Sequence, residues 1–350
     1  MVDEVAPTPR RRSRRLRTRL LGGGFALAVV IAVFAFFLPK IADYRSVWDV
    51  VQDLSWVDLA ILAAATVLNL ATFAPPWMAA LPDLGFRQAL ALSQASTAVS
   101  IVSPAGAAVG MAGSFAMLRS WGFKSGPVGL AVALVGVWNQ LANLTFPIVA
   151  LALLTAENES HAGLRTTALV GVGVLVVVLA GFTFGISSSR RAHRVGELAA
   201  RIVNRVRRLL RRDPVAWGGE SFASFRRGTL DLLRRRWHVL TLATLAGNLT
   251  VFLVLLACIR TIGISTDEVT LVEAFAAWAL VRVLGLVPLT PAGLGVVELG
   301  LSGALVAFGA SNADAVAATL LYRFLTVVPT LVLGLAAAAT WRTHARRSPV

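Results

Sequence analysis

Apolar runs of about 20 residues recur along the chain, parted by short polar or basic stretches. A helix of that length crosses the ~30 Å hydrocarbon core of a bilayer. The pattern predicts spans over about 20–38, 59–80, 126–154, 167–186, 238–259 and 313–341. Pro75-Pro76 should kink or end the second of these, because proline lacks the N–H that a helix needs. Two further apolar segments, 89–118 and 271–309, are interrupted in the middle by proline and glycine. The short alternating strands of a membrane barrel are absent. The chain therefore reads as an all-α polytopic membrane protein.

The two interruptions resemble each other. Ser103-Pro104-Ala105-Gly106 and Thr290-Pro291-Ala292-Gly293 lie 187 positions apart, and in the same register Val109 matches Val296, Gly113 matches Gly300 and Gly122 matches Gly309. Met111 stands where the second copy has Glu298. Each arm of the first broken segment has about 15 residues, or ~22 Å of helix, short for a full crossing. The arms of the second are longer, about 18 residues, so they either re-enter or span.

Charge orients these elements. The net charge is +15, carried by seven arginines from Arg10 to Arg19, fourteen from Arg190 to Arg236, and Arg342, Arg346 and Arg347. Each cluster flanks an apolar span, which is the positive-inside pattern of cytoplasmic loops rather than a nucleic-acid surface. Arg87, Arg119 and Lys124 put both ends of the first hairpin on the cytoplasmic side. Glu157-Asn158-Glu159 and Thr266-Asp267-Glu268 read as external turns, with Arg165 a mild exception. The expected organisation is a cytoplasmic basic tail (1–19), a first membrane half (20–186), a cytoplasmic Arg-rich loop (187–236), a second membrane half (237–341) and a cytoplasmic tail (342–350). One hairpin opens inward and the other outward, an inverted-topology repeat with two broken, re-entrant helical hairpins. Both termini are expected in the cytoplasm, with the chain in the inner membrane. A cleaved signal is the alternative for the first span, which is long for one and lacks a clear A-x-A site.

Within the central loop, Val195, Leu198, Ala199, Ile202, Val203, Val206, Leu209 and Leu210 repeat at helical spacing. Arg201, Arg205, Arg208 and Arg212 lie on or near the other face. Such a helix suits an anionic leaflet, or packs on the protein's own cytoplasmic face.

Little here points to cofactor chemistry. The single cysteine, Cys258, sits in an apolar run, and His161, His193, His238 and His344 share no metal-ligand spacing. No phosphate loop, H-E-x-x-H motif or Ser/His/Asp constellation is present. No cofactor or metal is expected. Three ionisable residues do fall in the apolar surroundings of the second half: Arg282, Glu298 and Arg323. Buried charge in a membrane is expensive, so such groups face a cavity or pair with one another. They either form an internal ion pair that locks the hairpin to the last span, or the arginines hold a lipid phosphate with Glu298 tuning them or carrying a proton. Gly293 and Gly295 allow close backbone approach, and with Thr290 and Pro291 they complete the candidate headgroup site. For Gly106, close packing of small residues is the favoured reading. Gln94, Asn69, Asn139, Gln140, Asn143 and Asn248 read as helix–helix hydrogen-bonding residues rather than ligand groups.

At Pro288–Glu298, followed by Tyr322-Arg323 and Pro329–Gly334, the chain resembles the flippase-like transmembrane domain of lysyl-phosphatidylglycerol synthases and their stand-alone relatives. The resemblance covers about 20–342, and 103–110 departs from the usual polar pattern. It implies a membrane domain that binds, and in some members translocates, a phospholipid or lipid-linked headgroup. In the synthases a soluble domain performs aminoacyl transfer. Here the chain stops at Val350, so the expectation is a transporter and not an enzyme. Its partners would be anionic phospholipids or a lipid-linked substrate, with a second copy or a separately encoded enzyme as further candidates. A membrane-embedded transferase and a non-transporting scaffold are the alternative readings.

Overall fold

The computed structural model of the chain describes residues 54–103, 106–157, 219–285 and 295–344, with single positions at 52, 173, 176, 177, 180, 204 and 293. The expected first span, the span at 167–186 and the amphipathic stretch 195–212 lie outside these, apart from those single positions. Among the described residues the elements are all α-helices and no strand occurs. They run α1 (Trp56–Thr72), α2 (Pro75–Ala80), α3 (Phe86–Val102), α4 (Gly106–Ser120), α5 (Ser125–Glu157), α6 (Gly219–Thr261), α7 (Leu271–Gly285), α8 (Val296–Phe308) and α9 (Asn312–His344). Four stretches, Trp56–Ala80, Ser125–Ala156, Arg227–Thr261 and Asn312–Ala338, are long and apolar enough to cross a membrane.

Local sequence sets most boundaries. Ser55 opens α1 with a reciprocal capping box: Asp58 N–H donates to Ser55 Oγ, and Ser55 N–H donates to Asp58 Oδ2. Pro75 and Pro76 break the span as expected, ending α1 at Thr72 and occupying the first turn of α2, where a missing N–H costs nothing. The helix containing the expected span 238–259 starts much earlier, at Gly219. Its first turns lie inside the stretch 187–236, because the leucines and arginines there favour helix and no proline lies between Pro214 and the end of the helix at Thr261. α8 has 13 residues, shorter than the arm of about 18 expected for this hairpin, and α7 is described through Gly285. α8 cannot begin before Val296, because Gly295 sits at φ 79°, a left-handed conformation foreign to a helix.

Contacts fix the direction of each helix. Asn69 Nδ2 donates to Thr250 Oγ1, and a side chain at Gly247 would meet the carbonyl of Thr72, so α1 and α6 are antiparallel. Ser96 Oγ donates to the carbonyl of Gly110, and a Cβ at Gly106 would strike the carbonyl of Ser100. α3 and α4 therefore fold back on each other as a hairpin, and Gly106 serves close packing. α9 packs along α3 more extensively than any other pair of helices, with Gly334 pressed against the backbone of Gln94. One end of the bundle carries exposed Arg87, Arg119, Lys124 and Arg234–Arg236; we call it the basic end. The opposite, acidic end carries Asp267, Glu268, Glu273 and Asp314. The α3–α4 hairpin starts and finishes at the basic end. α7 starts, and α8 finishes, at the acidic end, where Gly309 abuts the carbonyl of Glu268.

Candidate functional site

Three helices carry the ionisable residues to one depth. Arg282 stands 11 positions after the start of α7, Arg323 11 after the start of α9, and Glu298 10 before the end of α8. At 1.5 Å per residue, each lies about 15–16 Å from the acidic end. Asn248 lies 13 positions before the end of α6 and Asn143 18 positions after the start of α5, about 20 and 27 Å along those helices. The cluster therefore lies in the interior of the bundle, away from both ends.

Asn248 Oδ1 accepts from Arg282 Nη2 at 2.5 Å, and Asn143 Oδ1 on α5 accepts from the same nitrogen at 2.5 Å. The two asparagines are themselves held: Asn143 Nδ2 donates to Gln140 Oε1, and Asn248 Nδ2 to the carbonyl of Thr244 and to Asn139 Oδ1. Pro147, four residues beyond Asn143, cannot donate to the Asn143 carbonyl, which opens the α5 ladder at this level. The Arg282 guanidinium also lies 4.8 Å from the centre of the Trp278 ring, a cation–π distance. Trp278 is fixed in turn by edge-on and tilted contacts with Phe146, Phe252 and Phe275 at 5.1–5.6 Å. Among the described residues no carboxylate lies within 4.0 Å of Arg282.

The second arginine is neutralised. Arg323 Nε donates to Glu298 Oε1 at 2.6 Å, and both side chains are largely buried. The other oxygen, Glu298 Oε2, accepts from the N–H of Gly295 at 2.7 Å and so caps α8. The ion pair thus ties the second hairpin to α9, as one of the two sequence readings expects. Arg282 is not part of it.

Asn143, Trp278, Arg282, Tyr322 and Arg323, with Val281, Val297 and Leu301, line a cavity of about 240 Å³. Arg282 Nε is buried without a hydrogen-bond partner among the described residues, and the Tyr322 hydroxyl lies beside the Trp278 indole. Two arginines on the lining and one glutamate beside it leave one net positive charge. Such a lining accepts an anion.

Of the residues anticipated from sequence, the structure brings Arg282, Glu298, Arg323 and Gly295 together, with buried Gly293 in the left-handed region at φ 68°. Thr290, Pro291 and Pro104 lie outside the described residues. Ser103 ends α3 in extended backbone, and its neighbour Val102 packs with Ala98, Val327 and Leu331, one turn of α9 from Arg323. The tip of the first hairpin therefore reaches the level of the ion pair. Sequence reasoning left Asn143, Asn248 and Trp278 out of the site. The signal available was positional: Asn143 and Asn248 are buried amides near the middle of long apolar helices, and Trp278 is one helical turn from Arg282.

Among curated proteins none matches the chain. The family model described as the lysylphosphatidylglycerol synthase TM region matches residues 24–334, most of the sequence, and the chain belongs to that family.

Proposed function

We propose that the protein is a lipid translocase: the cavity beside Arg282 receives the headgroup of an anionic phospholipid or lipid-linked substrate and passes it between leaflets. The observation that carries this reading is Arg282, a guanidinium inside the helix bundle with two neutral amide acceptors and no carboxylate within 4.0 Å among the described residues. A stranded charge there is costly and is retained where it meets a substrate or pathway. Broken helices that approach the same depth from opposite ends support an inverted repeat whose halves rock around the site. On this reading both termini face the cytoplasm, and the basic stretch 195–212 rests on the anionic inner leaflet. A second copy or a separately encoded enzyme that supplies the lipid is the protein partner we envisage. Glu298 is the acid–base group a transferase would need, but both of its oxygens are engaged, which favours carriage over chemistry.

The test is reconstitution into vesicles containing phosphatidylglycerol with a fluorescent headgroup, followed by quenching from outside. The protein should expose the inner-leaflet probe to the quencher, and Arg282→Gln should abolish this while remaining folded. Unchanged transport by a folded Arg282→Gln protein would overturn the assignment.

A further inference from the structure

The cavity has two guanidiniums of unequal status. Arg282 is offered to a ligand, whereas Arg323 is already occupied by Glu298. That carboxylate does two things at once, because its second oxygen holds the N–H of Gly295, the residue just before α8. We infer that Glu298 is the ligand's internal rival: a singly charged phosphodiester takes its place on Arg323, and the cap of α8 is broken whenever the site is filled. This rests on the reading of the cavity as a headgroup site and adds the ligand's charge and the residue it displaces.

Two arguments lead there. The first is charge. Two arginines and one glutamate leave one positive charge inside the bundle, where an uncompensated ion is expensive. A monoanion brings the cluster to neutrality; a dianion overshoots, and a zwitterion leaves the charge standing. The second is geometry. Arg282 and Arg323 line one cavity, so an anion that spans both arginines competes for the Arg323 guanidinium with Glu298, whose Oε1 lies 2.6 Å from Nε. A phosphodiester has two equivalent anionic oxygens and can bridge two guanidiniums. Once Glu298 gives up Arg323 it moves as a unit, and Gly295 loses its acceptor. Gly295 is at φ 79°, where glycine turns without strain, so the backbone there can follow.

The test uses the whole protein in detergent with three probes: dihexanoyl-phosphatidylglycerol, dihexanoyl-phosphatidylcholine and dimethyl phosphate. Binding is measured by calorimetry, and amide hydrogen exchange is followed at Gly295. The wild-type protein should bind the phosphatidylglycerol probe in preference to the zwitterion, and exchange at Gly295 should accelerate on binding. Glu298→Gln removes the rival charge and should tighten binding by about tenfold or more, the worth of a charge-assisted hydrogen bond no longer to be broken. If that variant does not fold, Glu298→Asp, one methylene shorter and unable to hold Gly295 and Arg323 together, should also tighten binding. Weaker binding by the folded variant, or wild-type exchange at Gly295 that ignores the probe, overturns the inference while leaving the headgroup site intact. Binding of no probe, or Arg282→Gln binding as well as wild type, overturns the headgroup site and the inference together. Dimethyl phosphate as strong as the lipid would assign the same chemistry to a free anion, and the lipid alone would assign it to a headgroup.

Discussion

Replacing Arg282 by methionine tests whether the cluster exists for stability or for a ligand. The guanidinium gives two hydrogen bonds to Asn143 and Asn248, and each bond to a charged donor contributes about 1.5–3 kcal/mol. Its contact with Trp278, at 4.8 Å, adds about 2 kcal/mol when desolvated. Against this stand the burial of a charge at the centre of a span, about 2.5–3.5 kcal/mol on insertion scales, and the unpaired Nε, about 1–3 kcal/mol. The balance falls near 2 kcal/mol, so Arg282→Met should destabilise by about that amount, the loss lying mainly in the two amide oxygens left without a donor. Replacing the amides as well, in Arg282→Met/Asn143→Leu/Asn248→Leu, removes the stranded acceptors. Swapping a buried polar cluster for apolar residues of similar volume is commonly neutral or stabilising. The triple variant should return to within about 1 kcal/mol of wild type, or exceed it, while failing to bind anionic lipid. Chemical denaturation in mixed micelles reads the first quantity and calorimetry the second. A triple variant no more stable than the single one would refute the reasoning and make Arg282 a structural pillar.

Three further outcomes follow from other parts of the molecule. A Cβ at Gly334 would collide with the carbonyl of Gln94, so Gly334→Ala should cost about 1–3 kcal/mol at the α3–α9 seam, whereas Gly303, with nothing within 4 Å, should gain roughly 0.5–1 kcal/mol as alanine; thermal melts of the pair decide. Glu268, in the turn before α7, accepts from Ser265 N–H and Oγ, and these bonds hold its carboxyl below the usual range. A depressed pKa means the turn is stabilised above the unfolded value near 4.3 and loses this as pH falls through the folded value, so protection of the Ser265 amide, its exchange measured against the intrinsic rate at each pH, should fall as the carboxyl takes up its proton in wild type and be low at every pH in Glu268→Gln. In a Cys258→Ala background, single cysteines at positions 103 and 290 should react with impermeant reagents from the cytoplasmic and the outer side respectively; labelling of both from one side, in a protein locked in one state, would refute the inverted repeat.

Much of the fold was legible because membrane helices announce themselves twice, by apolar length and by flanking charge. Pro75-Pro76 marked the break in the first described span, and Gly106 was read correctly as a packing residue. The start of α8 is not marked by apolar character, which continues to residue 309; the helix obeys the left-handed Gly295 and the reach of Glu298 back to it. The start of α6 was missed for the opposite reason: arginines signal water to a hydropathy reading, yet they are good helix formers, and helix runs on where apolarity stops. The site was half legible. Arg282, Glu298 and Arg323 stand out as charges in apolar sequence, but the sequence does not say which of the two arginines Glu298 neutralises. That depends on α8 lying against α9, a contact with no local signal.

The depth of the charges, by contrast, could have been counted. Arg282, Arg323 and Glu298 lie 11, 11 and 10 positions from helix ends that meet at the acidic end. Had the three been a structural lock alone, one carboxylate and one arginine would suffice, and the cheaper place for them is near an interface where water shares the solvation. Instead the chain maintains a third charge in the interior of the bundle. It surrounds that charge with amide oxygens that hold it without neutralising it, and it leaves Arg282 Nε buried without a hydrogen-bond partner among the described residues. The asparagines fix where the guanidinium points, and the aromatic cluster fixes Trp278 beneath it. On the proposed reading, this arrangement keeps an open valence for an anion inside the bundle.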